Sequence, residues 1–182
     1  MKNKWDYSGL NQACYSDTRQ ESYKKAAEFL IDNVEDWGCG TGWAKKYFNN
    51  YRGVEGSPSV FVKPEDTVDL VEYTSNVDNI LMREVLEYNT EWRRILENIK
   101  KSFSKKFCLV VSTPFAPKTR VGFWHRPRKA DGTQGEGKIP EMYFNKQDIL
   151  DYFSDCEFKV REETIKTEHL YHQDWILYVE RI

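Results

Sequence analysis

The chain has 182 residues, long enough for one domain with a single sizeable core, and residues 1–182 are expected to form one unit. Apolar residues make up 40% and charged residues 31%, a balance that argues against disorder. Lys plus Arg (27) nearly cancel Asp plus Glu (29), so no global field selects nucleic acid or an anionic membrane.

No apolar run approaches the roughly 20 residues that cross a bilayer, and residues 1–9 lack the hydrophobic stretch of a signal peptide. Cys14, Cys39, Cys108 and Cys156 are too far apart for a zinc pair or an iron–sulfur cluster. A cytoplasmic protein with reduced thiols is expected. The aromatic share of 15% suits stacking on a planar ligand, although aromatics more often serve a core.

Residues 19–32 place Tyr23, Ala26, Ala27 and Leu30 at helical spacing, which predicts an amphipathic helix capped by Asp17 or Thr18. Residues 33–37 lead into the cluster Trp37-Gly38-Cys39-Gly40-Thr41-Gly42. Residues 43–50 read as helical, and 51–55, 68–73 and 79–85 as strands. Residues 90–103 are a second helix, with Trp92, Ile95, Leu96 and Ile99 on one face and Thr90 as N-cap. The apolar run 107–112 belongs to a strand covered on both faces. Residues 114–140 are Gly-, Pro- and Lys/Arg-rich without periodicity and read as a long loop. A helix near 145–154 and strands near 157–165 and 174–181 close the chain, without internal repeats. Alternating strands and helices imply a mainly parallel sheet with helices on both faces.

The chemistry concentrates at Asp36-x-Gly38-x-Gly40-x-Gly42. A strand runs there into a glycine-rich turn that opens a helix, where free N–H groups favour an anionic or polar ligand group. Glu55, at the end of the next strand-like run, can accept two hydrogen bonds from a ribose diol. The spacing departs from the G-x-G-x-x-G of nicotinamide sites.

The stretch from Asp36 to Gly42 resembles the first motif of class I S-adenosylmethionine-dependent methyltransferases, and Gly53-Val54-Glu55-Gly56-Ser57 resembles their second. Residues 77–88 (VDNILMREVLEY) resemble their fourth strand and its exit, and the closing strand pair also fits. The resemblance covers most of residues 19–182. It implies an α/β, Rossmann-like, mainly parallel seven-stranded sheet and S-adenosyl-L-methionine as cofactor. By the same resemblance Gly38, Gly40 and Gly42 pack against the methionine part, Asp36 sits near its ammonium group and Glu55 holds the ribose hydroxyls. Trp37 and Gly56 belong to the same cofactor-binding set. Tyr73 and Thr74 flank adenine, while Met82, Arg83 and Glu84 line the floor beside the methyl group. Between Glu55 and Asp78 there are too few residues for two full crossover helices, so the region between the second and fourth strands is reduced.

On the acceptor side, Lys118, Arg120, Arg126, Arg128, Lys129 and Lys138 interleave with Phe123, Trp124 and His125. Such a loop suits a phosphate, a carboxylate or a nucleobase, or is merely a solvated surface. His125 and Glu84 are the catalytic candidates. His169 and His172 have no carboxylate partners that make a metal site, and no metal is expected. There is no Pro-Cys dipeptide for cytosine-C5 chemistry, and Ser112-Thr113-Pro114-Phe115 echoes the amino-methyltransferase motif only weakly. The expected reaction is displacement at a sulfonium methyl by an O or N atom of a small-molecule or sugar-type acceptor. Two alternatives stay open: a nucleic-acid methyltransferase using residues 118–138, and a catalytically silent cofactor-binding subunit.

Overall fold

The computed structural model describes residues 20–56, 63–111, 114–125, 138–166 and 173–182. Tyr23, Ala26 and Leu30 recur on one side of helix α1 (Gln20–Leu30) and are buried there, as their spacing requires. The caps expected at Asp17 or Thr18 lie outside the described residues. α1 ends at Ile31, which takes a left-handed φ of 68° and leaves its side chain 68% exposed.

Strand β1 (Val34–Trp37) is buried throughout. A 3₁₀ turn, Trp43–Tyr47, connects it to β2 (Tyr51–Val54). β3 (Val77–Arg83), helix α2 (Trp92–Ser102) and β4 (Phe103–Val111) follow. Trp92, Ile95, Leu96 and Ile99 form the buried face of α2. Thr90 does not cap this helix: Glu91 is the N-cap residue, without a side-chain bond, and its carbonyl accepts from Arg94 and Ile95.

Helix α3 (Lys146–Leu150) is capped by Asn145, whose side chain accepts from the Gln147 N–H, and continues as a 3₁₀ turn, Asp151–Phe153. β7 (Phe158–Lys166) and β8 (Gln173–Arg181) end the chain. Among the described residues no helix is long and apolar enough to cross a membrane.

The main sheet has six strands in the order β2-β1-β3-β4-β8-β7. β1 to β4 pair in parallel, and β8 runs antiparallel to both β4 and β7. Alternate residues feed two cores, as a doubly covered sheet demands. Leu81, Cys108, Val110 and Ile176 face α1, whereas Ile80, Met82, Phe107 and Leu109 face α2 and α3. Truncating one of these, such as Ile80→Ala, would cost about 2–5 kcal/mol.

Two expectations are corrected. Among the described residues the sheet has six strands rather than seven, because 68–73 is not a strand. The Asp69 carboxylate accepts from the Val71 N–H and its carbonyl from those of Glu72 and Tyr73, which curls the chain into a turn. Among the described residues a single parallel bridge, Glu55 to Thr67, is all that pairs there, so the region between β2 and β3 is reduced as anticipated. Nor is 114–140 a structureless loop. It holds β5 (Arg120–His125), which pairs antiparallel with β6 (Lys138–Tyr143) as a separate ribbon.

Candidate functional site

From β1 the chain passes to β2 on one side and later to β3 on the other, so strand order reverses between β1 and β3. Ligands of open α/β sheets bind beyond the strand ends at such a point. The segments leaving β1, β2 and β3 here are the glycine loop, Glu55-Gly56 and Glu84-Val85.

Gly38, Gly40 and Gly42 all take left-handed φ values of 79°, 54° and 70°. At Gly38 space is a second constraint, because an added Cβ would lie 2.4 Å from Val85 Cγ2. The buried Glu55 carboxylate closes the loop from the other side. Its Oε2 accepts from the Gly40 N–H at 2.8 Å and its Oε1 from the Gly56 N–H at 2.7 Å. Asp36 is buried on the α1 face, where the Tyr51 hydroxyl donates to its Oδ2 at 2.7 Å. Burial pushes the Asp36 carboxyl up to about 7, and Glu55 adds to the rise, while Tyr51 and Arg83 oppose it. Asp36, the three glycines, Glu55 and Gly56 therefore lie together at one end of the sheet.

Arg83 and Glu84 lie beside this group in a buried network. Arg83 donates to Ser22 Oγ at 3.0 Å and to Glu84 Oε1 at 3.0 Å, and stacks over the Tyr23 ring at 4.5 Å. Asp174, at the start of β8, lies 3.9 Å away. Burial works against the Arg83 charge, but Glu84, Tyr23 and Asp174 outweigh it and hold the guanidinium above its ordinary value. Its side chain is 3% exposed, so Arg83 ties α1, β3 and β8 together under the site rather than forming a floor. Glu84 has a left-handed φ of 52°, and its N–H donates to the Val110 carbonyl.

Four expected contacts are placed elsewhere. Trp37 and Met82 are fully buried core residues on the α2 face, because strand alternation sends them opposite to Asp36 and Arg83. Parity along β1 and β3 was the signal for this. Tyr73 lies on that same face, its ring 5.1 Å from Trp37 and its hydroxyl donating to Glu35 Oε1. Thr74 is exposed, and the next residue, Ser75, donates from its N–H to Ser102 Oγ where β4 begins. Thr74 therefore lies towards the opposite end of the sheet from the glycine loop, whereas Tyr73 stays packed against Trp37, the residue that precedes that loop. His125 ends β5 opposite Lys138, and its side chain lies outside the described part, as do His169 and His172.

Two residues enter that the motifs did not single out. Thr41 is buried within the glycine loop, and its Oγ1 has no hydrogen-bond partner among the described residues. Leaving such an oxygen unsatisfied costs about 1–3 kcal/mol, which a polar ligand would offset. Tyr51 is the other. Left-handed glycines, two buried carboxylates and an orphaned hydroxyl fit a ligand that carries a ribose diol and an amino-acid group.

No protein-family model and no curated protein matches the sequence. Solved structures share its fold. 1,6-Didemethyltoxoflavin-N1-methyltransferase of Burkholderia thailandensis superposes with a TM-score of 0.67 at 11% identity, over 93% of this chain and 81% of that one. CalS10, an amino pentose methyltransferase of Micromonospora echinaspora, gives 0.60 at 12% identity over 100% of both chains. Magnesium protoporphyrin IX methyltransferase from Synechocystis PCC 6803 gives 0.59 at 16% identity, over 91% of this chain and 80% of that one. The chain has the fold of class I S-adenosylmethionine-dependent methyltransferases.

Proposed function

We propose that this chain is an S-adenosylmethionine-dependent methyltransferase, one cytoplasmic domain that methylates an O or N atom of a small-molecule or sugar-type acceptor. The observation that carries this reading is the pair Asp36 and Glu55, two buried carboxylates flanking a left-handed glycine loop at the switch point of the sheet. The solved structures of like fold supply an analogy for small acceptors, since those named above are methyltransferases of 1,6-didemethyltoxoflavin, of an amino pentose and of magnesium protoporphyrin IX.

In this reading the Gly40 and Gly42 backbone and Thr41 hold the amino-acid part of the cofactor, Asp36 takes its ammonium group, and Glu55 takes the ribose hydroxyls. Glu55 then exchanges its present bonds to the Gly40 and Gly56 N–H groups for bonds to the diol. The cofactor supplies an electrophilic methyl group. The protein's part is to hold the acceptor atom in line and to exclude water. Glu84, ion-paired with Arg83, anchors charge rather than moving a proton. His125 is assigned the acceptor's proton because an ordinary imidazole titrates near neutral pH. In this reading the ribbon of β5 and β6 meets the acceptor, which the packing of β6 on the Leu86–Tyr88 turn after β3 supports.

The test is transfer of a radiolabelled methyl group into pooled small metabolites, sugars and RNA, presented separately. Label in a small-molecule fraction supports the reading, label confined to RNA replaces the acceptor class, and no label in any fraction with bound cofactor marks a silent subunit.

A further inference from the structure

Gly53 stands directly opposite Asp36 in the parallel register of β1 and β2. A Cβ built on Gly53 would lie 2.6 Å from Cys39 Sγ and 3.0 Å from the Tyr51 hydroxyl oxygen. Tyr51 is two residues earlier on the same strand and so points to the same face. With Gly53 bare, the Tyr51 ring extends along β2 and delivers its hydroxyl to Asp36 Oδ2 at 2.7 Å. The ring is stacked on Phe48, with centroids 6.5 Å apart and planes 18° apart. Among the described residues this hydroxyl is the one side-chain donor to Asp36.

We propose that Tyr51 is a positioning residue for cofactor binding, whose hydroxyl fixes the Asp36 carboxylate to receive the ammonium group. The inference rests on the methyltransferase reading above.

Every element around Asp36 contributes to its charge state. Burial opposes ionisation most strongly, and Glu55 from the end of β2 opposes it too. The Tyr51 hydrogen bond and Arg83 from β3 favour it, and Glu84 is paired with that Arg83. Cys39 in the loop and Tyr23 on α1 also face Asp36 and stay neutral, since burial pushes the thiol up and the Tyr23 phenol up to about 12. Asp36 consequently titrates near neutrality, where one hydrogen bond decides how much carboxylate is present. Removing the hydroxyl withdraws a contribution that favours charge and moves the Asp36 titration to higher pH.

The experiment measures S-adenosylhomocysteine affinity by calorimetry from about pH 5.5 to about pH 8.5. Wild type, Tyr51→Phe and Asp36→Asn are compared. Carbon NMR of the Asp36 carboxyl in the ligand-free protein runs in parallel. Wild-type affinity is expected to rise about tenfold per pH unit below the Asp36 midpoint and to level off above it. Tyr51→Phe moves the binding and NMR midpoints upward together. Its affinity falls about tenfold near pH 6.5 and recovers to within about threefold of wild type at the alkaline end. Asp36→Asn flattens the profile.

A Tyr51→Phe variant that loses affinity equally at all pH values, with an unmoved Asp36 midpoint, overturns the positioning role and leaves cofactor binding intact. A wild type that binds no S-adenosylhomocysteine at any pH overturns the methyltransferase reading. In that case the NMR midpoint alone reports whether Tyr51 acts on Asp36.

Discussion

Gly38 and Val85 meet so closely across the mouth of the sheet that a methyl group on Gly38 would lie 2.4 Å from Val85 Cγ2. This contact locks the glycine loop after β1 to the turn after β3, the two segments that border the switch point. Gly38→Ala meets both a left-handed φ and this overlap. It should cost about 2–4 kcal/mol of stability, from about 1–2 kcal/mol for the backbone and the rest for overpacking. Val85→Ala in the same chain should recover the overpacking part only. Denaturant titration of the single and double variants checks this.

Asp36 gives stability and binding opposite dependences. Its carboxyl rises from 3.8 to about 7 on folding, so the native state holds a proton that the unfolded chain releases within that window. The resulting destabilisation is absent below the unfolded value, grows as pH rises through the window and is complete above about 7. Asp36→Asn, which keeps an acceptor for Tyr51, should therefore raise ligand-free stability at pH 8 by about 2–4 kcal/mol. The gain should shrink towards pH 5, while cofactor affinity drops at least about tenfold. Thermal unfolding at the two pH values reads the first effect and calorimetry the second.

Ile31 is a β-branched residue with a left-handed φ at the end of α1, a place where glycine is usual. Its side chain is mostly solvent-exposed, so little packing is lost on removing it. Ile31→Gly should stabilise the fold by about 1 kcal/mol, as a higher denaturation midpoint with an unchanged slope.

Phe123 and Val121 point to one exposed face of the β5–β6 ribbon, with Phe123 64% exposed. If this face meets the acceptor, Phe123→Ala should leave the melting temperature within about 1 °C of wild type. S-adenosylhomocysteine affinity should also stay unchanged, while the KM for the acceptor rises several-fold. Steady-state kinetics on the first acceptor identified would show it.

Much of this was legible in the residues. The run 107–112 and the stripe Trp92, Ile95, Leu96 and Ile99 carried β4 and α2, because burial on two faces or on one leaves distinct periodicities. Asp36, the glycines and Glu55 were readable because a left-handed turn and a strand-end acid restrict residue type. The turn at 69–73 was not, since one Asp69 side chain converts an apolar run into a curl by local hydrogen bonding. The ribbon was hidden by Gly122 and Pro140, which read as loop residues although Gly122 makes room for the Tyr143 ring. The reach of Tyr51 to Asp36 depends on Gly53 being bare two residues later on β2 and on its lying opposite Asp36 of β1, a relation of register that no single segment records.

Cofactor binding at Glu55 is read by thermal unfolding with and without S-adenosylhomocysteine, in wild type and in Glu55→Gln and Glu55→Ala. Ligand at about 100 times its dissociation constant should stabilise the wild type by about 2.7 kcal/mol, a midpoint shift of about 5–10 °C. The shift should be present in wild type, reduced in Glu55→Gln and lost in Glu55→Ala. A folded wild type that carries no co-purified cofactor and shows no shift would contradict cofactor binding at this site.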